Sequence, residues 1–504
     1  MSKVYLIGAG PGDPGLLTLK ARDILAVADT VVYDYLASPG LLKHCREDAE
    51  LIYVGKKGGE HTLGQADINA LLVDKAQAGL CVARLKGGDP YVFGRGAEEA
   101  EDLVAAGVDF EVVPGVTSAV AAPAYAGIPL THRLYASSVT FITGHEDPTK
   151  EESAHNWPAL AQSASTLVFF MGVKNLESIA HNFIQAGMDP QTPAALVRWG
   201  TTCQQQTLTA RVEDIAPKAR ESGFRAPALL VVGQVVGLRE TLSWFEHKPL
   251  LGRGVVVTRA REQASALLQL LEDHGACCFE FPTIAISGLD DTQGIEAAVD
   301  RLSRYDWCIF TSVNGVKHFW SVLENKGLDT RALGQTKVGA IGPATAQALM
   351  DRGVRPEVVP DKYVAESVVY SLAQEGIEGR KVLIPRAEKA REILPEELIR
   401  AGAEVDVVPV YRTDLAEQSG EDILQAMQDG RIHYVTFTSS STVDNFFRLI
   451  PADRVRSFIQ DQVKLACIGP ITAKTLQGYG FSAHVQPQEY TIPALAQALI
   501  EDAS

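Results

Sequence analysis

Three separate motifs in the second half of this 504-residue chain return after one fixed interval. FTSVNGVKHFW is answered by FTSSSTVDNFF, AIGPATAQAL by CIGPITAKTL, and VVVTRAREQASALLQLLEDHGACCFEFPTIAI by VLIPRAEKAREILPEELIRAGAEVDVVPVYRT. Arg259 and Arg386, Thr311 and Thr438, and Gly342 and Gly469 each stand 127 positions apart. Solenoid repeats run about 20–50 residues, so this interval describes something larger. It requires a duplicated α/β subdomain, and two similar lobes enclose a natural ligand cleft.

The first half is α/β as well. Apolar runs (VYLIG, TVVYD, LIYVG, CVARLKGG, FEVVPG, SVTFITG, TLVFFMG, AALVRWG, ALLVVG) alternate with helical stretches. Nearly every run ends in glycine or proline. Ligands of such sheets lie beyond the carboxyl ends of the strands, so chemistry is to be sought in these turns. After LRETLSWFE the segment HKPLLGRG, residues 247 to 254, breaks the pattern before a fresh strand, VVVTRA. The expected organisation is a domain over 1–246, a linker over 247–251 and a domain over 252–504.

Composition narrows the class. The chain is 46% apolar and 21% charged, which excludes disorder, and it has no run of about 18 apolar residues to cross a bilayer. MSKVYLIGAG lacks the long apolar stretch of a signal peptide and reads as a first strand, so a cytoplasmic protein with no membrane partner is expected. A net charge of −16 argues against nucleic acid as a partner, while local basic clusters could still hold an acidic small molecule. Seven cysteines show no C-x-x-C and eleven histidines no H-x-x-x-H, so neither a disulfide framework nor a metal site is expected. Cys277 and Cys278 read as plain core or edge residues.

VYLIGAGPGDPGLLTLKARDILAVADTVVYD, residues 4 to 34, satisfies the dinucleotide fingerprint through Gly10, Gly12 and Gly15, with Asp34 closing the next strand. Pro11 and Pro14 oppose that reading, because a pyrophosphate loop needs free N–H groups and proline has none. RLKGGDPYVFGRGAEEA, residues 84 to 98, sets Arg95 between two glycine clusters, which suits close backbone approach and a charge for a carboxylate or phosphate. The plainer alternative is a loop with a helix cap. In EVVPGVTSAVAAPAYAGIPLTHR, small residues from Thr117 to Ala122 let a ligand lie flat, and His132 and Arg133 read equally well as surface charges.

GAGPGDPGLLTLKA, VVYD, VGKKGG, RLKGGDPYVFGRG, VPGVTSAVAAPAYAGIPLTHR, TGHE, LVFFMGV and PALLVVG, in that order, resemble uroporphyrinogen-III C-methyltransferase across residues 3 to 246. That resemblance implies the two-lobed tetrapyrrole methylase fold rather than a Rossmann domain. It also implies S-adenosylmethionine as methyl donor, leaving as S-adenosylhomocysteine, and a homodimer through this half. Pro11, Gly87, Gly88, Asp89, Val92, Thr117, Ser118, Met171, Gly200 and Ala228 would line the cofactor site. Met171 reads by itself as core packing. The implied reaction places two methyl groups on uroporphyrinogen III to give precorrin-2, of use to sirohaem or cobalamin biosynthesis. Asp34 fits a general base, Arg95 a proton relay or carboxylate anchor, and Lys56 and Arg133 fit contacts to the polycarboxylate substrate. A helix cap is the structural alternative for Asp34. The pattern departs at RWGTT, where Arg198 and Trp199 stand in place of an acid before Gly200. No second fingerprint resembles a precorrin-2 dehydrogenase module.

In the second half, hydroxyls recur at strand-to-helix junctions: Thr258, Thr311, Ser312, Thr345, Thr438, Ser439, Ser440 and Thr472. Such junctions gather helix N-termini around a cleft, although the same residues serve as ordinary N-caps. FTS, IGP-x-T-A and VPVYRT resemble uroporphyrinogen-III synthase, a lyase, over this half. The resemblance implies two lobes joined by two strands, one from 252–285 with 413–502 and the other from 286–412. The implied substrate is hydroxymethylbilane, closed to uroporphyrinogen III with inversion of the last pyrrole. Tyr411 would donate a hydrogen bond to the departing hydroxyl, and Thr311, Ser312, Ser439 and Thr472 would hold substrate. Tyr411 reads alternatively as a lobe-edge hydrophobe, and the half as a non-catalytic tetrapyrrole-binding module.

Overall fold

The structure is a computed structural model that describes residues 2–55, 63–144, 155–163, 165–259, 261–360, 370–372, 374, 376–389 and 393–504. The chain divides into two compact units, Met1–Gly254 with Gln269–Cys278 and Ile500–Ser504, and Val255–Leu268 with Phe279–Leu499.

In the first unit, strands β1 (Lys3–Gly8), β2 (Thr30–Tyr33), β3 (Glu50–Tyr53), β4 (Cys81–Lys86) and β5 (Phe110–Val113) form a parallel sheet. Its order is β3-β2-β4-β1-β5. A Rossmann sheet keeps its first two strands adjacent; here β4 lies between them, so the topology itself rules out the dinucleotide fold. Central β4 is buried at every position but its first, as expected where helices cover both faces of a parallel sheet.

A second sheet joins β6 (Val139–Thr143), β7 (Thr166–Phe170), β8 (Pro193–Arg198), β9 (Gln206–Arg211) and β10 (Ala228–Val232) in the order β6-β7-β10-β8-β9. Only β6 and β7 run parallel; β10 is antiparallel to both neighbours. The sequence reading missed β9. Its QTLTAR is largely polar, because an edge strand with one partner can leave much of its surface in water.

The second half begins with β11 (Gly254–Val257) and β12 (Cys277–Glu280). The chain then builds a sheet of β13 (Ile284–Gly288), β14 (Trp307–Phe310), β15 (Lys337–Ala340), β16 (Lys381–Ala387) and β17 (Glu404–Leu415), ordered β13-β17-β16-β14-β15. It returns through β18 (Tyr434–Phe437) and β19 (Lys464–Cys467), which complete β12-β11-β18-β19. β13 and β17 run antiparallel, Ile284 facing Leu415. Phe310 and Phe319 fill one core, Phe437 and Phe446 the other.

Two expectations about individual residues fail here. Cys277 is not a plain edge residue: it is disulfide-bonded to Cys203, with the Cα atoms 5.3 Å apart. Thr258 is fully buried, and its hydroxyl donates to the Thr436 carbonyl at 2.7 Å, so it ties β11 to β18 rather than facing a ligand. Among the described residues no cluster of His, Cys, Asp and Glu could hold a metal, and no helix is long and apolar enough to cross a membrane.

Candidate active site

The turns that follow β1, β2, β4, β5, β7 and β8 converge on one cavity of about 780 Å³ in the first unit. Two of them interlock. Gly10, at φ +76°, donates to Gly88 O at 3.2 Å and accepts from Gly88 N at 2.7 Å. The turn after β5 presses on the same pair: a Cβ on Gly115 would lie 2.4 Å from Gly88 O and 2.7 Å from Gly8 Cα. These glycines therefore serve close packing of three strand ends. Gly115→Ala is expected to destabilise the first half by about 1–3 kcal/mol through overpacking. An unchanged midpoint of thermal unfolding would show that the turns part freely.

Asp13 fixes the GPGDPG turn from the other side. Its amide donates to Thr201 Oγ1 at 3.0 Å, and its carboxylate accepts from the Tyr125 hydroxyl at 2.7 Å. Burial first, then the Asp13 carboxylate, raises the Tyr125 pKa above its ordinary value.

Backbone strain collects around this cavity. Phe93, Arg95, Met171 and Trp199 line it in the left-handed region, at φ between 48° and 59°, and adjacent Thr201 has φ 70°. These are all the non-glycine residues with positive φ among those described. Such conformations cost about 1–3 kcal/mol each and cluster at functional sites. Met171, expected by itself to pack in a core, is 52% exposed.

All ten residues that the resemblance assigned to the cofactor, from Pro11 to Ala228, line this cavity, as do Asp34 and Arg95. Asp89 Oδ1 accepts from Tyr91 N at 2.8 Å and Oδ2 from Gly115 N at 3.0 Å, so its carboxylate also shapes the turn. Arg95 makes a two-pronged contact with Glu98, at 2.9 and 2.7 Å. That hydrogen-bonded pairing raises the Arg95 pKa and lowers that of Glu98. Arg133 is exposed and does not line the cavity, and Lys56 lies outside the described residues.

Asp34 is not a helix cap. Its Oδ1 accepts from Leu36 N at 3.1 Å in a tight turn, and its Oδ2 meets Arg84 Nη2 at 3.1 Å. Sequence reasoning missed Glu98, which pairs with Arg95, and on the cavity wall it missed Lys86, Tyr35, Phe93 and Phe170; Trp199, noted only as a departure from the pattern, belongs to the same aromatic wall. Glu98 stands three residues beyond Arg95 on the helix Gly96–Ala105, a spacing that puts two side chains side by side. Tyr35 and Phe93 each sit beside a residue already singled out, but nothing local announces that they face a cavity.

In the second unit, Tyr411 ends a buried run of β17 and is 8% exposed. Its hydroxyl lies 3.1 Å from Ser312 Oγ, and its ring stacks on His318 with centroids 5.5 Å apart. Ser312 caps the helix Val313–Asn325 by accepting Gly315 N at 3.0 Å, with Thr311 just before it. Ser439, 127 positions on, caps the helix Ser440–Leu449 in the same way. Thr472 is buried in the first turn of the helix Pro470–Gly478.

Comparison with known proteins divides the chain in two. Residues 3–216 match the family model of Tetrapyrrole (Corrin/Porphyrin) Methylases, and residues 265–497 that of Uroporphyrinogen-III synthase HemD. "Porphyrin biosynthesis protein HemD" of Ruminiclostridium josui is 38% identical over 500 residues, 99% of this chain and 97% of that protein. "S-adenosyl-L-methionine-dependent uroporphyrinogen III methyltransferase" of Methanosarcina barkeri is 55% identical over 240 residues, 48% of this chain and 94% of its own. "Siroheme synthase" of Pseudomonas fluorescens is 51% identical over 245 residues, 48% of this chain and 52% of its own. The class is thus that of tetrapyrrole-biosynthesis enzymes. The chain belongs to the family of porphyrin-biosynthesis fusions in which a uroporphyrinogen-III methyltransferase domain precedes a uroporphyrinogen-III synthase domain.

Proposed function

We propose that the second half closes hydroxymethylbilane to uroporphyrinogen III, and that the first half then methylates this product twice to give precorrin-2. The observation that carries the methylation reading is the convergence of all ten expected cofactor residues on one strained, aromatic-walled cavity. S-adenosylmethionine fits the residues present. A cavity of about 780 Å³ lies within the range of ligand sites, with apolar walls for an adenine and turn backbone for the polar end. When bound, this group supplies an electrophilic methyl on a sulfonium.

The protein's task is then alignment and proton removal. The Gly87–Gly88–Asp89 turn, Thr117, Ser118 and Met171 hold the donor. Asp34 accepts the proton that the pyrrole substrate loses, and Arg95, backed by Glu98, anchors a substrate carboxylate. Tyr411 donates to the departing hydroxyl of hydroxymethylbilane. Ser312 and Ser439, with Thr311 and Thr472, contribute contacts to hydroxymethylbilane. The domains run 1–246 and 252–504 about a linker at 247–251, and the protein works in the cytoplasm as a homodimer through the first half.

Mass spectrometry of products formed from hydroxymethylbilane tests the whole scheme. Without S-adenosylmethionine the expected product is uroporphyrinogen III; with it, the dimethylated precorrin-2. Type I isomer alone would leave the second half a binding module, and an unmethylated product would remove the methyltransferase reading.

A further inference from the structure

Two cations of β4 have no part in the proposed chemistry: Lys86, which lines the cavity, and Arg84, which does not. Arg84 and Lys86 alternate along β4, so both side chains leave the sheet on one face, and each is only 4% exposed. Glu99, on the helix Gly96–Ala105 and fully buried, meets both: its Oε1 lies 2.6 Å from Lys86 Nζ and 3.2 Å from Arg84 Nε. Gln65 Nε2 adds a third donor at 3.2 Å. Burial, then the charge of Arg84, pushes the Lys86 amine below its ordinary pKa.

Arg84 reaches further than Glu99. Its Nη1 donates to the carbonyls of Leu85 at 3.2 Å and Val32 at 3.4 Å, and its Nη2 lies 3.1 Å from Asp34 Oδ2. One planar guanidinium therefore joins a buried carboxylate, two strand carbonyls and the acid that lines the cavity. Replacing a buried ionic cluster by apolar residues of equal volume is often neutral or stabilising, so joining a strand to a helix is not by itself a reason to bury two cations and an anion. The arrangement makes sense if its purpose is to aim something.

We propose that Arg84 is the positioning residue for Asp34, itself held in place by Glu99. The proposal rests on the reading of Asp34 as proton acceptor. Glu99 and the two carbonyls fix the guanidinium plane, and that plane fixes the rotamer of the Asp34 carboxylate at the cavity. Lysine would keep the charge but could not span all four partners at once.

A double-mutant cycle on the full chain tests it, with uroporphyrinogen III supplied as substrate. Arg84→Lys is expected to lower kcat of methylation by about 10- to 100-fold, the scale of a slightly misplaced catalytic group. KM for uroporphyrinogen III and calorimetric affinity for S-adenosylhomocysteine should stay within about twofold. In an Asp34→Asn background the same substitution should change kcat by less than about twofold, because nothing remains to be aimed. Losses that multiply would overturn the proposal and make Arg84 a structural residue. Full methylation by Asp34→Asn alone would overturn the underlying reading of Asp34 instead. Should Arg84→Lys lose S-adenosylhomocysteine binding, Asp34→Glu decides. It keeps the acid but shifts it against Arg84, so a large fall in kcat supports positioning and near-normal turnover overturns it.

Discussion

Asp34→Ala should lower methylation of supplied uroporphyrinogen III by about 10²- to 10⁴-fold, the usual loss when a general base is removed. The structure gives reasons to expect this without unfolding. The side chain is 27% exposed and lines the cavity. Its removal deprives Arg84 of one partner of several, since Glu99, Val32 O and Leu85 O remain. The turn after β2 keeps its backbone bond from Ala37 N to the residue-34 carbonyl. Calorimetric affinity for S-adenosylhomocysteine should therefore stay near that of the unaltered protein while kcat collapses. If turnover stays within about twofold, the carboxylate serves only its structural contacts with Leu36 N and Arg84 Nη2.

Tyr411→Phe should shift the products of the second half from the type III toward the type I isomer. Hydroxymethylbilane closes without ring inversion on its own, so the isomer ratio reports how far the enzyme outpaces that leak. Ser312 Oγ already accepts Gly315 N–H, and its own proton can point at the Tyr411 oxygen 3.1 Å away. The phenol proton is then available to a leaving hydroxyl. Phenylalanine removes that donor while keeping the ring in its core and stacked on His318. Loss of one such hydrogen bond is worth about 1–3 kcal/mol, or about 5- to 150-fold in rate. Methylation of supplied uroporphyrinogen III should be untouched. An unchanged ratio under enzyme-limited conditions would reduce Tyr411 to a packing residue.

Much of the site is legible along the chain because its turns are local. Gly87, Gly88 and Asp89 follow a strand, Thr117 and Ser118 open a helix, and each carries a composition that says so. What is missing from the sequence is whatever depends on neighbours far away. The Cys203–Cys277 bond joins residues 74 positions apart with no spacing motif to mark them. Arg84 reads as one more residue of an apolar strand, since its partners Asp34 and Glu99 are brought to it by strand pairing and a packed helix. The left-handed conformations of Met171 and Trp199 carry no residue signature at all, glycine being the only residue that advertises one.

The duplication marks the same division. The interval of 127 residues is written in the sequence, and it holds down to the strands: Trp307–Phe310 answers Tyr434–Phe437, and Lys337–Ala340 answers Lys464–Cys467. Composition, turn residues and the apolar runs decided that both copies would be α/β. The residue pattern did not decide that each copy is shared between two sheets, a division implied only by the resemblance, with its lobes of 252–285 with 413–502 and of 286–412. β11 and β12 share a sheet with β18 and β19, joined where β11 pairs with β18, whereas β16 and β17 share one with β14 and β15, joined where β16 pairs with β14. Val255 faces Tyr434, and the equivalent Val382 faces Trp307. Because the two copies are alike, β11 beside β14 would satisfy the same hydrophobic pattern and backbone hydrogen bonds as β11 beside β18. Periodicity is a local property and pairing a global one. The choice belongs to the tertiary structure, where β13 and β17 carry the chain out of one sheet and back.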